Sequence, residues 1–113
     1  MMTGRPAAFC LGAGHRVVHG NRDFTASFGA SVIGQPAREC LVDLPPMAFE
    51  LMDSVLEAGR PLAVWLPGAE EDWRLTVAPR LDPETHEVYG VAIHLRARSD
   101  LPVVASPGGA AAR

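Results

Sequence analysis

The order of the elements along the chain predicts an α+β fold, a five-stranded antiparallel sheet with helices on one face. Two short apolar stretches precede a middle with helical spacing, and three longer apolar or alternating stretches follow it. The links between the last three stretches are short enough to join antiparallel neighbours. Because the sequence is strand-like on both sides of a helical middle, the helices are expected to cover one side of the sheet.

Composition restricts the class of protein. With 113 residues, 48% of them hydrophobic, the chain has room for one domain with a real core. That domain is predicted over residues 6–99, and a Pro/Gly/Ala-rich tail over residues 100–113. The sequence has no apolar run of about 18 residues and no signal-peptide pattern, which predicts a cytoplasmic protein without a membrane partner. The net charge of −3 and the scattered arginines argue against nucleic acid as a partner.

Two short strands open the domain. They are predicted from Ala7 to Leu11 and from Arg16 to His19, and the Gly-rich turn between them predicts a hairpin. His15 and His19 are four residues apart, which on a strand separates them by about 13 Å. A surface position is therefore expected for both, and no metal site.

The helical middle begins at Asn21. This residue is a predicted N-cap, and Asp23 in the first turn suits the positive end of the helix dipole. Phe24 and Phe28 are one turn apart and share a face, and Gly29 ends the short helix.

The longest helix is predicted after a helical turn that ends at Cys40. Pro45 and Pro46 fit its first turn, Gly59 caps it and Pro61 prevents its continuation. Apolar residues recur at helical spacing along one side of it: Ala48, Leu51, Met52, Val55 and Leu56. Acidic residues mark its other side: Glu50, Asp53 and Glu57.

Three strands complete the domain, over residues 62–66, 72–81 and 88–96. The last two alternate with a period of two residues, which predicts one buried face for each. The inward set is predicted to be Trp73, Leu75, Val77, Tyr89, Val91, Ile93 and Leu95. The outward set is Arg74, Thr76, Ala78, Arg80, Gly90, Ala92, His94 and Arg96.

Several short patterns along the chain resemble those of PAS sensor domains, and they occur in the same order. The opening pattern is Asn21, Phe24, Phe28-Gly29 and Ile33-Gly34. Later patterns are Gly59-Arg-Pro after the long helix, Trp73 to Pro79 in a strand, the Asp82 turn, and Gly90 in the last strand. The resemblance covers about residues 8–96. It implies a PAS-like fold and a sensory or protein-interaction role.

One departure from the family bears on signal output. Many PAS domains end in Asp-Ile-Thr, which passes the signal to a following helix, whereas this chain has Arg96-Ala97-Arg98 there. No effector is recognised in the sequence. Output is therefore expected to pass through association with another chain, either as a homodimer or with another signalling protein.

The cofactors of the family are not indicated by this sequence. Flavin photosensors carry a reactive Cys after the helix-opening Asn, where this chain has Arg22. Haem sensors usually place a His on the long helix, which has none here, and Met47 and Met52 are better explained as packing residues than as iron ligands. We expect no cofactor and no metal.

Catalysis is not indicated either. The candidate nucleophiles Ser27, Ser31, Ser54 and Cys40 stand in no nucleophile-elbow pattern, and the histidines are scattered. Cys10 and Cys40 are predicted to be buried free thiols. We therefore expect no enzyme and no catalytic residues.

The sequence favours a non-enzymatic sensory or interaction module that takes a small apolar ligand between the long helix and the sheet. The predicted pocket residues are Phe28, Leu51, Met52, Val55, Trp73, Leu75, Val77, Tyr89, Val91 and Ile93. A dimer face is predicted on the outward side of the sheet, at Thr76, Ala78, Gly90, Ala92 and His94. For each pocket residue taken by itself, plain core packing is the favoured explanation. A ligand-free scaffolding dimer and a small cavity-based isomerase or hydrolase stay open as alternatives.

Overall fold

The computed structural model describes Met2 and residues 4–101. Its strands are β1 (Ala7–Leu11), β2 (Arg16–Gly20), β3 (Leu62–Leu66), β4 (Trp73–Leu81) and β5 (Val88–Ala97). Its α-helices are α1 (Arg22–Phe28), α2 (Ala37–Cys40) and α3 (Pro46–Ala58), with short 3-10 turns at Ala30–Val32 and Arg98–Asp100. The predicted tail over residues 100–113 lies outside the described residues from residue 102 onwards.

The five strands form one sheet in the order β2-β1-β5-β4-β3, and every neighbouring pair is antiparallel. The second half of the chain folds as a β3-β4-β5 meander, and the opening hairpin joins it through the pairing of β1 with β5. Helix α3 packs against β3, β4 and β5. The predicted α+β architecture is confirmed.

The junction between β2 and α1 depends on Asn21. Its side-chain oxygen accepts hydrogen bonds from the backbone N–H of Phe24 at 2.8 Å and of Ala7 at 3.0 Å. Its amide donates to the carbonyl of Arg5 at 2.9 Å. The predicted N-cap therefore also fixes the chain that enters β1. Gly29 ends α1 at φ 91°, a backbone angle that favours glycine.

Helix α3 begins with Pro46 in its first position and ends at Gly59, which adopts the left-handed conformation at φ 72°. Phe49 is only 8% exposed, although the sequence pattern did not place it in the core. Leu51 and Leu56, which the pattern did place there, are half-buried. The buried stripe of α3 is thus shifted toward Ala48, Phe49, Met52 and Val55.

The hydrophobic core lies between α3, α1 and the inner face of the sheet. Phe24 is fully buried and stacks on the half-buried Phe28, with their ring centroids 4.8 Å apart. Leu41 and Leu44, in the connection between α2 and α3, close the core at its edge. No helix in the described part of the chain has the length and apolar character needed to cross a membrane.

Candidate interaction surface

The residues predicted to line a pocket are mostly part of the core. Seven of them are 8% exposed or less: Met52, Val55, Trp73, Leu75, Val77, Val91 and Ile93. Phe28 and Leu51 are half-buried and pack against this cluster. The space between α3 and the sheet is therefore filled with apolar side chains, and a ligand there would have to displace some of them.

Tyr89 departs from the predicted alternation. The β4–β5 register shifts so that Arg80 pairs with Gly90 and Leu81 pairs with Val88, which leaves Tyr89 as the extra residue of a bulge. Its side chain is 41% exposed, and its hydroxyl accepts a hydrogen bond from Nη2 of Arg80 at 3.2 Å. The prediction that Tyr89 faces inward is wrong, because a bulge residue is not bound by the two-residue period.

An open cleft of about 950 Å³ lies elsewhere, at the end of the sheet where the β3–β4 link approaches the start of the chain. Arg5 bridges part of it, since its side chain pairs with Asp100 at 2.6 Å and its backbone N–H donates to Asp23 at 2.9 Å. Trp73 lies at the cleft as well as in the core. Five carboxylates are among the residues that line the cleft, and the cleft lies outside the space between α3 and the sheet.

The face of the sheet opposite the helices, here called the outward face, has no helix packed on it among the described residues. Cross-strand pairing sets its side chains in rows: Trp65, Arg74 and Arg96; Ala63, Thr76, His94 and Ala7; Ala78, Ala92, Phe9 and His19; Arg80, Gly90, Leu11 and Arg16. All five residues of the predicted dimer face belong to these rows. The centre of the outward face is shallow because Thr76, Ala78 and Ala92 have small side chains.

The members of the predicted dimer face differ in exposure. His94 is exposed, and Thr76 and Ala78 are half-buried. Ala92 is only 6% exposed, since Phe9 lies beside it on β1. Gly90 is buried where β1 runs close to β5, and a Cβ there would collide with the backbone of Cys10. Gly90 is therefore required by strand packing, independently of any partner.

A cluster of cationic and aromatic side chains flanks this shallow centre at the β1 side. The guanidinium of Arg80 lies 4.0 Å from the ring centroid of Phe9 and 5.9 Å from that of Tyr89. The rings of Phe9 and His19 are 5.8 Å apart. At the opposite edge, Arg98 lies 4.3 Å over Trp65.

His15 is the functional candidate that sequence reasoning placed wrongly. It is fully buried, in the turn between β1 and β2, with φ 50°. Its Nε2 lies 2.6 Å from a carboxylate oxygen of Asp53 on α3, and Asp53 also accepts from Arg38 at 2.6 Å. His15 lies in a turn and is not part of a strand, and its side chain reaches Asp53 on α3. The expected surface position is therefore wrong. His15 Nδ1 is buried without a hydrogen-bond partner among the described residues.

This triad joins the hairpin, α2 and α3. The guanidinium of Arg38 is the main reason that the pKa of Asp53 lies below its ordinary value; burial opposes the shift and His15 adds to it. The arrangement resembles a positioned acid–base pair, but among the described residues no nucleophilic side chain is hydrogen-bonded to His15 or Asp53. His15 and Asp53 are 38 residues apart, and no sequence pattern links them, so the sequence could not have identified the pair.

The two cysteines differ in environment. Burial raises the pKa of Cys10 to about 12, and burial also raises the pKa of the half-exposed Cys40. Both are free thiols. Within residue 2 and residues 4–101, no group of three or more His, Cys, Asp or Glu side chains is arranged to hold a metal ion.

Solved structures similar to this chain are PAS domains of signalling proteins. The PAS domain of the histidine kinase ThkA is 21% identical with a TM-score of 0.64, and the match covers 79% of this chain and 94% of that one. A sensory box histidine kinase from Vibrio cholerae is 14% identical with a TM-score of 0.68, over 83% of this chain and 82% of that one. This chain has the PAS fold.

A third structural neighbour is VqmA, a Vibrio cholerae protein whose structure has been solved bound to DPO. It is 15% identical with a TM-score of 0.64, and the match covers 86% of this chain but only 53% of VqmA. No protein-family model and no curated protein sequence matches this chain. These likenesses establish the PAS fold, and the role of the chain has to be argued from its own surface.

Proposed function

We propose that this chain is a non-enzymatic sensory or protein-interaction module of the PAS type that works through its outward face. The observation that carries the proposal is the contrast between the two sides of the sheet. The inner side is closed by a core whose central residues are fully buried, whereas the outward face displays small side chains between two cationic and aromatic clusters. A sheet covered on one side only has its other face available for a second layer.

A second copy of the chain is the partner that the sequence favours. An isologous dimer would place Thr76, Ala78, Gly90, Ala92 and His94 of one copy against the same residues of the other. Light scattering over a concentration series tests this, with Ala78→Glu as the interface variant and Glu57→Arg on α3 as the control. A dimer that only Ala78→Glu dissociates supports the proposed face, and a dimer that only Glu57→Arg dissociates contradicts it.

A small apolar ligand between α3 and the sheet belongs to the same proposal. The VqmA structure with DPO supports the capacity of the fold to take a small molecule. In this chain, entry would require Met52 and Val55 to move away from Leu75 and Ile93, so binding would favour a second packing of the core. A native mass spectrum of the purified chain tests this: a retained small molecule supports a sensor, and the bare chain mass favours the ligand-free scaffold.

The isomerase or hydrolase alternative has less support. It needs an acid or base inside the pocket, and the inward side chains of β4 and β5 are apolar. His15 is the one buried polar residue in the described part of the chain, and it is held by Asp53.

A further inference from the structure

The charges of this chain are segregated between the sheet and the rest of the molecule. None of the 13 Asp and Glu residues lies in a strand, although the net charge of the chain is −3. The strands contain Arg16, Arg74, Arg80 and Arg96, and all four belong to the rows of the outward face. The outward face is thus a cationic surface on an anionic protein.

From this segregation we infer that the outward face docks an acidic, amphipathic helical segment of a partner protein of another sequence. This inference rests on the proposed function, because it names the occupant of the same face. The inferred partner is a protein of another sequence. Binding of a second copy of this chain to the same face would contradict the inference.

Arg74 and Arg96 form the cationic site at one end of the face. They lie directly opposite each other on β4 and β5, where like charges destabilise a sheet. Arg74 is exposed and has no ion pair among the described residues, and Arg96 has only Asp100, at 3.9 Å. Nε of Arg96 is buried without a hydrogen-bond partner in the described part of the chain. A partner carboxylate next to these two side chains would relieve the repulsion.

Arg80 forms the cationic site at the other end. Phe9 and Tyr89 fix its guanidinium, so little side-chain entropy would be lost when it binds an anion. No carboxylate within the described residues pairs with it. Arg80 and Arg74 lie six residues apart on β4, a distance of about 20 Å, which an α-helix spans with about 13 residues.

The floor between the two sites suits a helix. Thr76 and Ala78 are small and half-buried, so a helix could approach the sheet closely and bury an apolar stripe there. The strands in the middle of the sheet have their backbone hydrogen bonds satisfied by their neighbours, so an added strand would have no free backbone groups to pair with on this face. The occupant that fits is a short helix with an apolar stripe and acidic residues toward both ends.

Two other occupants fit less well. A second copy would set arginines against arginines, because the outward strand positions carry no carboxylate with which to alternate. Single-stranded nucleic acid needs free aromatic faces on which bases stack. Here Arg80 lies over Phe9 at 4.0 Å and Arg98 lies over Trp65 at 4.3 Å, so one face of each ring is already occupied by a guanidinium.

The test uses the full chain and a synthetic helical peptide of about 14 residues, with a stripe of Ala and Leu along one side and Glu residues toward both ends. A twin peptide with Lys in place of every Glu controls for charge. Binding is followed by backbone-amide NMR shifts and by fluorescence anisotropy at low and at high salt. Arg74→Glu is the interface variant, and Arg60→Glu, an exposed arginine between α3 and β3, is the matched control.

Arg74→Glu is a suitable variant because the new carboxylate would face Arg96 and form an opposite-charge pair within the sheet. The melting temperature should not fall, so that lost binding cannot be assigned to misfolding. The Glu peptide should shift the amide signals of Thr76, Ala78 and His94. Arg74→Glu should weaken its binding by about tenfold, a change of about 1.4 kcal/mol, and Arg60→Glu by less than about twofold. High salt should weaken it as well.

Equal binding of the Lys peptide, absence of binding by the Glu peptide, or binding that Arg74→Glu leaves unchanged would overturn the inference. So would a short single-stranded DNA that binds the same face in place of the peptide. A dimer dissociated by Ala78→Glu would overturn the acidic partner and leave the proposed function in place. Peptide shifts confined to α3 would overturn both.

Discussion

Removal of the Asp53 carboxylate is the substitution whose effect the structure defines best. In Asp53→Ala, the fully buried His15 loses the oxygen that lies 2.6 Å from its Nε2, and Arg38 loses its ion pair at 2.6 Å. Since His15 Nδ1 already has no partner among the described residues, the variant leaves a buried imidazole with both ring nitrogens unsatisfied.

The expected loss of stability follows from these two contacts. Leaving a buried polar group unpaired costs about 1–3 kcal/mol. The Arg38 pair is about half exposed on both sides and contributes roughly 0.2–1 kcal/mol. Alanine recovers about 0.5 kcal/mol through its helix propensity. The net loss is about 2 kcal/mol, which for a domain of this size lowers the melting temperature by about 8–16 °C.

Urea and thermal unfolding followed by circular dichroism measure this loss, with Glu57→Ala on the same helix as the control. Glu57 is exposed and has no side-chain hydrogen bond or ion pair within the described part of the chain, so its variant should stay within about 0.5 kcal/mol of the parent. If Asp53→Ala also stays within that range, His15 does not depend on Asp53 and the network is misassigned.

The stability that the Arg38–Asp53 ion pair contributes should depend on pH. Arg38 is the largest cause of the lowered pKa of Asp53 in the folded chain. A lowered folded pKa contributes stability that is present above the unfolded value of about 3.9 and is lost as the pH falls through the folded pKa. The difference in unfolding free energy between the parent and Asp53→Asn should therefore be full at pH 7 and shrink below about pH 4. A difference that grows on acidification would contradict this assignment.

Three further substitutions or reactions have defined outcomes. Asn21→Ala removes three hydrogen bonds and should cost about 2–3 kcal/mol in urea unfolding, more than the ~1 kcal/mol of a cap alone; a loss of 1 kcal/mol or less would show that the links to β1 are weak. Phe24→Ala should cost about 3–5 kcal/mol and Phe28→Ala clearly less, because only the first ring is fully buried; equal losses would contradict the helix orientation. In the folded chain a thiol reagent at pH 8 should modify Cys40 well before Cys10, whose pKa is raised to about 12; simultaneous modification would contradict the burial of Cys10.

The fold was predictable because the hydrophobic periodicity and the helix-capping residues indicated the same helix boundaries. Asn21 and Gly59 mark helix ends by local chemistry that needs no tertiary contact, and both were assigned correctly. The alternation along β4 and β5 gave the inner face apart from Tyr89. The prediction for Tyr89 was wrong because a bulge arises from the pairing of two strands, and the two-residue period of a single strand cannot reveal it.

The candidate surface was harder to predict. Its position on the outward side follows from alternation, but its charge does not, since the arginines are separated in the sequence and meet only through the β4–β5 register. His15 was missed for a related reason. Its partner Asp53 is 38 residues away and belongs to the exposed side of α3, so only the packing of the hairpin turn against that helix brings the two together.

The most direct test of the claim that the outward face binds a partner is site-specific photo-crosslinking of the chain inside the cells that express it. A photoreactive amino acid at residue 94 lies on the outward face, and one at residue 57 lies on the exposed side of α3. Crosslinks to a second chain of either kind from residue 94, and none from residue 57, are expected if the outward face carries the partner. Crosslinks from residue 57 with none from residue 94 would contradict the central claim.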